Sequence, residues 1–146
     1  MKIRICDEND VIAVHQQIQE LKMRPIDFEQ FQNAYLSLLH GNRYTFFVAE
    51  EDEKVVGFLS LIIDYLLYRS DLVGVIEELT VSEEYQSLGI GKALLQHATD
   101  YAKEKGCLLL ELSSGLKREK AHAFYERQGF DKVGVTYRKY LKEESK

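Results

Sequence analysis

The chain has 146 residues, 45% of them hydrophobic and 29% charged, a globular balance that excludes extended disorder and fibrous or low-complexity architectures and suits one domain, 1–146. Its formal net charge of -5 gives no overall pull toward a phosphate backbone, so no nucleic-acid partner is expected and a cationic ligand such as an amine fits the field better. No apolar run approaches the ~20 residues that cross a bilayer, and Met1-Lys-Ile-Arg-Ile-Cys6 alternates like a strand rather than a signal peptide, so a cytoplasmic protein with no membrane partner is expected.

Lys2 to Cys6 reads as a first strand, and Asp7 to Lys22 as a helix capped by Asp7, with Val11, Val14, Ile18 and Leu21 on one face. Pro25 breaks that helix, and Asp27 restarts another in which Phe28, Phe31, Tyr35, Leu38 and Leu39 recur at helical spacing up to Gly41. Tyr44 to Glu50 and Val55 to Tyr65 are rich in β-branched and aromatic residues, with Glu51-Asp-Glu-Lys54 as a hairpin turn between them. After the stretch Leu66 to Gly74, a strand is expected over Val75-Ile-Glu-Glu-Leu-Thr-Val81. Ile90 to Lys105 carries Ile90, Ala93, Leu94, Ala98, Tyr101 and Ala102 at helical spacing and stops at Gly106. Cys107 to Leu112 is a continuous apolar run, expected mid-sheet with helices on both faces. A helix over Arg118 to Arg127 and strands over Asp131 to Val135 and Tyr137 to Leu141 complete the order βααβββαβαββ, an α/β (α+β) domain with a mixed central sheet. Cys6 and Cys107 lie in apolar runs and are expected as buried thiols, and His15, His40, His97 and His122 lack metal-ligand spacing, so no metal is expected.

Chemistry enters at Gln86-Ser87-Leu88-Gly89-Ile90-Gly91-Lys92, where glycines sit at a strand-to-helix turn and the amides from Ser87 to Gly91 can converge into an anion-binding nest. The following helix adds roughly half a positive charge at its N-terminus, and Lys92 adds charge nearby. The spacing matches neither the three-glycine dinucleotide fingerprint nor the phosphate loop ending in Gly-Lys-Ser or Gly-Lys-Thr. Taken with Leu79-Thr80-Val81 upstream, Ala121 and Tyr125 at a four-residue spacing, and Gly129-Phe130 beyond, the chain resembles the GNAT superfamily of N-acetyltransferases over nearly its whole length. Glu111-Leu-Ser-Ser-Gly-Leu-Lys-Arg118 leading to Ala121-His-Ala-Phe-Tyr125 looks most like the aminoalkylphosphonate N-acetyltransferases. In one departure, many superfamily members carry Asn seven residues before the tyrosine, where this chain has Arg118.

The resemblance implies acetyl-coenzyme A as co-substrate, its pyrophosphate on the Gln86–Lys92 loop, its pantetheine along the strand edge at Leu79, Thr80 and Val81, and further contacts from Ser113, Arg118, Ala121, Phe124 and Tyr125. It also leaves room for a homodimer. A protonated amine must lose a proton before it attacks a thioester. Glu77 and Glu78 are the candidate bases: alternation sends them to opposite faces unless a bulge intervenes, and Glu77, sharing a face with Leu79 and Val81, is the first choice. Tyr125 resembles the family's tyrosine acid, which protonates the departing sulfur. Lys117, Arg118 and Lys120 lie where coenzyme A phosphates or an anionic substrate could be reached, and Tyr65-Leu-Leu-Tyr68-Arg69 and the region around Met23-Arg24 are candidates for the substrate mouth. Three readings stay open: a small-molecule amine acetyltransferase, an acetyltransferase of protein lysines or N-termini, and a non-catalytic acyl-coenzyme A sensor.

Overall fold

The computed structural model describes residues 1–22 and 25–143, so the Met23-Arg24 region lies outside the described residues. The chain divides into two compact units, Met1–Glu111 and Leu112–Lys146.

The first unit is built on a sheet of strands β1 (Lys2–Ile5), β2 (Tyr44–Glu51), β3 (Lys54–Leu66), β4 (Asp71–Val81) and β5 (Leu109–Leu112, its last residue the first of the second unit), ordered β1-β2-β3-β4-β5. The first four pair antiparallel with their neighbours. Two helices, α1 (Val11–Lys22) and α2 (Phe28–Leu39), follow β1, and α3 (Ile90–Glu104) makes the crossover from β4 to β5 that a mixed sheet requires. Local chemistry explains the first two helix starts. Asp7 accepts from the Asn9 amide while Asp10 accepts from the Asp7 amide, a capping box that opens a 3-10 turn before α1. Asp27 accepts from the Gln30 amide at 2.9 Å to start α2. The β2–β3 turn is two residues, Asp52 and Glu53, both at positive φ, the geometry that matches strand twist in tight hairpins.

The sheet is covered on both faces. Val11, Val14 and Ile18 of α1 and Tyr35 of α2 pack with Phe46, Val48 and Phe58 on one side. On the other, Phe47 meets the rings of His97 and Tyr101 of α3 edge-on, and a side chain at Gly57 would come within 2.9 Å of Leu94 and 3.2 Å of Ile90. Gly57 therefore lets the first turn of α3 sit directly on β3. Arg4 is bidentate to Asp10 at 2.7 and 2.8 Å and also bonds Glu50, and this guanidinium holds the Asp10 carboxyl below the usual carboxylate range.

The second unit contains α4 (Glu119–Arg127), closed by a turn in which the Phe130 amide donates to Tyr125 O at 3.0 Å across Gly129, whose φ is +92°. The Ser113 and Thr136 hydroxyls meet at 3.0 Å.

Three expectations need correction. Strands were expected at Asp131–Val135 and Tyr137–Leu141, but neither stretch has strand structure. Val133, Tyr137 and Leu141 are 86%, 91% and 90% exposed, so the ribbon buries too little apolar surface to offset its ordering. The strand expected from Val75 begins at Asp71, because β3 runs on to Leu66 and pairs residue by residue through Ile63↔Gly74 and Leu66↔Asp71. The Cys107–Leu112 run narrows to Leu109–Leu112 and stands at the margin of the sheet rather than mid-sheet, since no described strand flanks it on the far side.

Candidate active site

The decisive irregularity is in β4. Leu61 pairs with Ile76 and Ser60 with Glu78, so Glu77 is an extra, unpaired residue: a β-bulge. Before the bulge, a side chain at Gly74 would meet Leu61 and Ala102 of α3, and after it Thr80 bonds Gln17 of α1. Ile76 and Glu78 thus face opposite sides of the sheet although they are two residues apart. The exception that the sequence allows is realised, and the face-sharing argument that made Glu77 the first choice does not carry through the strand.

Glu77 is exposed at the bulge. Glu78 is half-buried, accepts a short hydrogen bond from the Ser60 hydroxyl, and donates its amide to the same oxygen at 3.0 Å. Ser60 is fully buried in an otherwise apolar stretch of β3. A lone serine in a run of Val, Phe, Leu and Ile was the only signal that could have found it, and its partner lies 18 residues away.

β5 leaves part of β4 uncovered. The Leu108 amide donates to Leu72 O at 2.8 Å, and the four residues of β5 advance beside β4 from there. At ~3.3 Å per residue a four-residue strand runs out near the bulge. Among the described residues, no strand pairs with the β4 edge at Leu79, Thr80 and Val81 on that side.

That bare edge leads into the loop. Gln86 Nε2 donates to Val81 O at 3.1 Å, Ser87 and Gly89 adopt positive φ of 67° and 82°, and Leu88 stands exposed between them. Left-handed residues alternating with a right-handed helix start turn successive amides into one concavity. Gly89 is the N-cap of α3 and no side chain caps the helix, so the first-turn amides of Ile90, Gly91 and Lys92 stay open. Ile90 is buried and anchors the turn, whereas the Lys92 side chain is exposed.

In the second unit, Ala121, Phe124 and Tyr125 lie on α4, with the Tyr125 ring edge-on to both Phe124 and Phe130. Burial raises the Tyr125 phenol above its ordinary 10.0, with the Arg118 charge opposing. The phenol therefore keeps its proton at neutral pH. Arg118 stands at the N-cap of α4 and, with Lys117, Glu119, Lys120 and Ala121, lines an open depression of about 400 Å³. The His122 ring contacts Gly115 O at 2.8 Å, which pins the approach to the helix. Ser113 is exposed, and Tyr65, Leu67 and Tyr68 protrude at the β3–β4 turn.

Among the described residues, the first unit thus offers a strand edge without a strand partner and an uncapped helix start with a glycine nest, and the second unit, taken by itself, a tyrosine held protonated on a short helix. A model of the acetyltransferase (GNAT) family matches residues 12–130. The aminoalkylphosphonate N-acetyltransferase of Salmonella typhimurium is 30% identical over 140 residues, covering 96% of this chain and 91% of that protein. The glucosamine 6-phosphate N-acetyltransferase of Trypanosoma brucei brucei is 29% identical over 133 residues, 89% of this chain and 88% of that protein. Among solved structures, an aminoglycoside acetyltransferase from an uncultured soil metagenomic sample superposes with a TM-score of 0.81 at 26% identity, covering 97% of this chain and 96% of that one.

Proposed function

Because the chain belongs to the acetyltransferase (GNAT) family and is an N-acetyltransferase, we propose that it moves the acetyl group of acetyl-coenzyme A to the primary amine of a small molecule, by direct attack within a ternary complex. The observation that carries the donor half is the loop from Gln86 to Lys92, where the uncapped start of α3 and the positive-φ pair Ser87 and Gly89 offer several amides to one anion. The bare edge of β4 at Leu79, Thr80 and Val81 takes the amide-bearing arm of the donor as an added strand. The acceptor half is supported by relatives whose names specify small amines: an aminoalkylphosphonate, glucosamine 6-phosphate and an aminoglycoside. Lys117, Arg118 and Lys120 give the chain cations for a phosphonate or phosphate on either substrate, Arg118 standing where many family members carry Asn.

Glu78, oriented by Ser60, takes the ammonium proton directly or through water, and Glu77 at the bulge is the second candidate. Backbone amides near Leu79 polarise the thioester oxygen. Tyr125 returns a proton to the departing sulfur. One functional domain over 1–146 is supported by the family match, which runs through the boundary between the two units.

The test is release of free thiol from acetyl-coenzyme A against aminoalkylphosphonates, glucosamine 6-phosphate, aminoglycosides and lysine-bearing peptides, with binding of coenzyme A measured in parallel. Release with a small amine supports the proposal. Release with peptides alone moves the acceptor to proteins, binding without release on any acceptor makes the chain a sensor, and absence of binding overturns the donor assignment.

A further inference from the structure

Three buried polar side chains meet where β4 leaves the sheet. Gln17, on α1 and only 4% exposed, donates from Nε2 to Ser82 Oγ at 2.6 Å and accepts at Oε1 from Thr80 Oγ1 at 2.7 Å. Thr80 and Ser82 are each 8% exposed. Both ends of the Gln17 amide are therefore used, on two residues of the same strand face, one inside β4 and one just beyond it. Ser82 is fixed a second time through its backbone: its amide donates to Val56 O at 2.8 Å, and its carbonyl accepts from the Tyr85 amide at 2.9 Å at the start of the turn that leads to Gln86.

Apolar side chains of the same size would hold α1 against β4 at no desolvation cost, since buried polar groups contribute little net stability even when fully bonded. What a hydrogen-bonded triad adds is direction. Gln17 specifies the rotation of Thr80 and Ser82 about the strand axis, which aims the bare edge of β4 and sets the point from which the Gln86–Lys92 loop departs. We infer that Gln17 is a positioning residue for acetyl-coenzyme A: through Thr80 and Ser82 it holds the donor's strand edge and anion loop in one register, without touching the donor itself. The inference rests on the donor assignment proposed above.

The test compares wild type with the triple variant Gln17→Leu/Thr80→Val/Ser82→Ala, which removes every polar group of the triad together and leaves none unsatisfied. The expected result is a melting temperature near that of wild type, a KM for acetyl-coenzyme A and a Kd for coenzyme A raised about tenfold, or about 1.4 kcal/mol, and an unchanged KM for the amine. Ser82→Ala alone, should the triple variant not fold, is expected to raise the coenzyme A Kd about threefold, and Ser82→Thr, which keeps the hydroxyl, to restore it. Equal coenzyme A affinity in wild type and in whichever variant folds overturns the positioning role and leaves the triad structural. Wild type that binds no coenzyme A overturns instead the donor assignment on which it rests.

Discussion

Tyr125 shows what one side chain's surroundings decide. Burial raises its phenol while Arg118 works against the shift, so the protonated form required of an acid persists beyond the ordinary 10.0. Tyr125→Phe is expected to lower kcat by about 10²-fold, the usual scale of general acid catalysis, with coenzyme A affinity nearly unchanged; equal turnover would remove the residue from the acid role. Cys6 makes the complementary case in the core. Burial pushes its thiol from 9.0 up to about 12. A raised pKa of this kind leaves stability intact below pH 9.0 and removes it progressively as the pH climbs toward 12, because the unfolded thiol ionises first. Cys6→Ala should make the fall in stability between about pH 9 and 10 shallower without abolishing it, because burial also raises the Cys107 thiol from 9.0 and the Tyr35 phenol from 10.0. An unaltered slope in chemical denaturation would show that the thiol is not the titrating group.

Among the elements, the loop between β4 and α3 was the part most legible in the sequence, since its glycines mark a tight turn at a predicted helix start and Leu79-Thr80-Val81 precedes them. The structure adds why Gly89 in particular is required: its φ of +82° is a left-handed conformation that costs a side chain roughly 1–2 kcal/mol, and the space around its missing side chain is open. Gly89→Asp should abolish coenzyme A binding by placing a carboxylate in the nest, while Gly89→Asn, nearly equal in shape and at ease in that conformation, should retain a measurable part of it. Equal losses in both, measured by calorimetry, would mean that bulk rather than charge governs the site. The bulge was less legible. Val75 to Val81 reads as an ordinary strand, and the skipped residue shows only in the pairing of Ser60 and Leu61 across the ladder, which depends on a strand more than ten residues earlier in the chain.

For the molecule as a whole, the order of helices and strands up to α4 was legible because hydrophobic spacing is local, and the caps Asp7 and Asp27 announce themselves. What was not legible depends on neighbours. The apolar alternation of residues 131–141 reads as strand, yet without a ladder partner among the described residues it forms none. Gln17 could not be found either, for it looks like one more polar residue of an amphipathic helix until the fold brings Thr80 and Ser82 to it from 63 and 65 residues away. If residues 1–146 act as one domain, heating should give a single transition that coincides in calorimetry and circular dichroism and shifts upward with coenzyme A. Two separate transitions would divide the protein at about residue 111.

The bulge at Glu77 also bears on how this strand tolerates change in length. Because Ile76 and Glu78 already face opposite sides, removing Glu77 would join them as ordinary neighbours and leave every other β4 side chain on the face it now occupies. A one-residue deletion in a strand normally turns its buried pattern inside out; here it would leave the core intact and remove the bend and added twist that a bulge puts into a strand. The deletion variant is expected to melt close to wild type yet lose coenzyme A binding, whereas Glu77→Ala keeps it, and a deletion variant that still binds would show that the bare edge of β4 owes nothing to the bend. The extra residue is then best regarded as a spacer, kept for the curve it puts into the chain as much as for the carboxylate it carries.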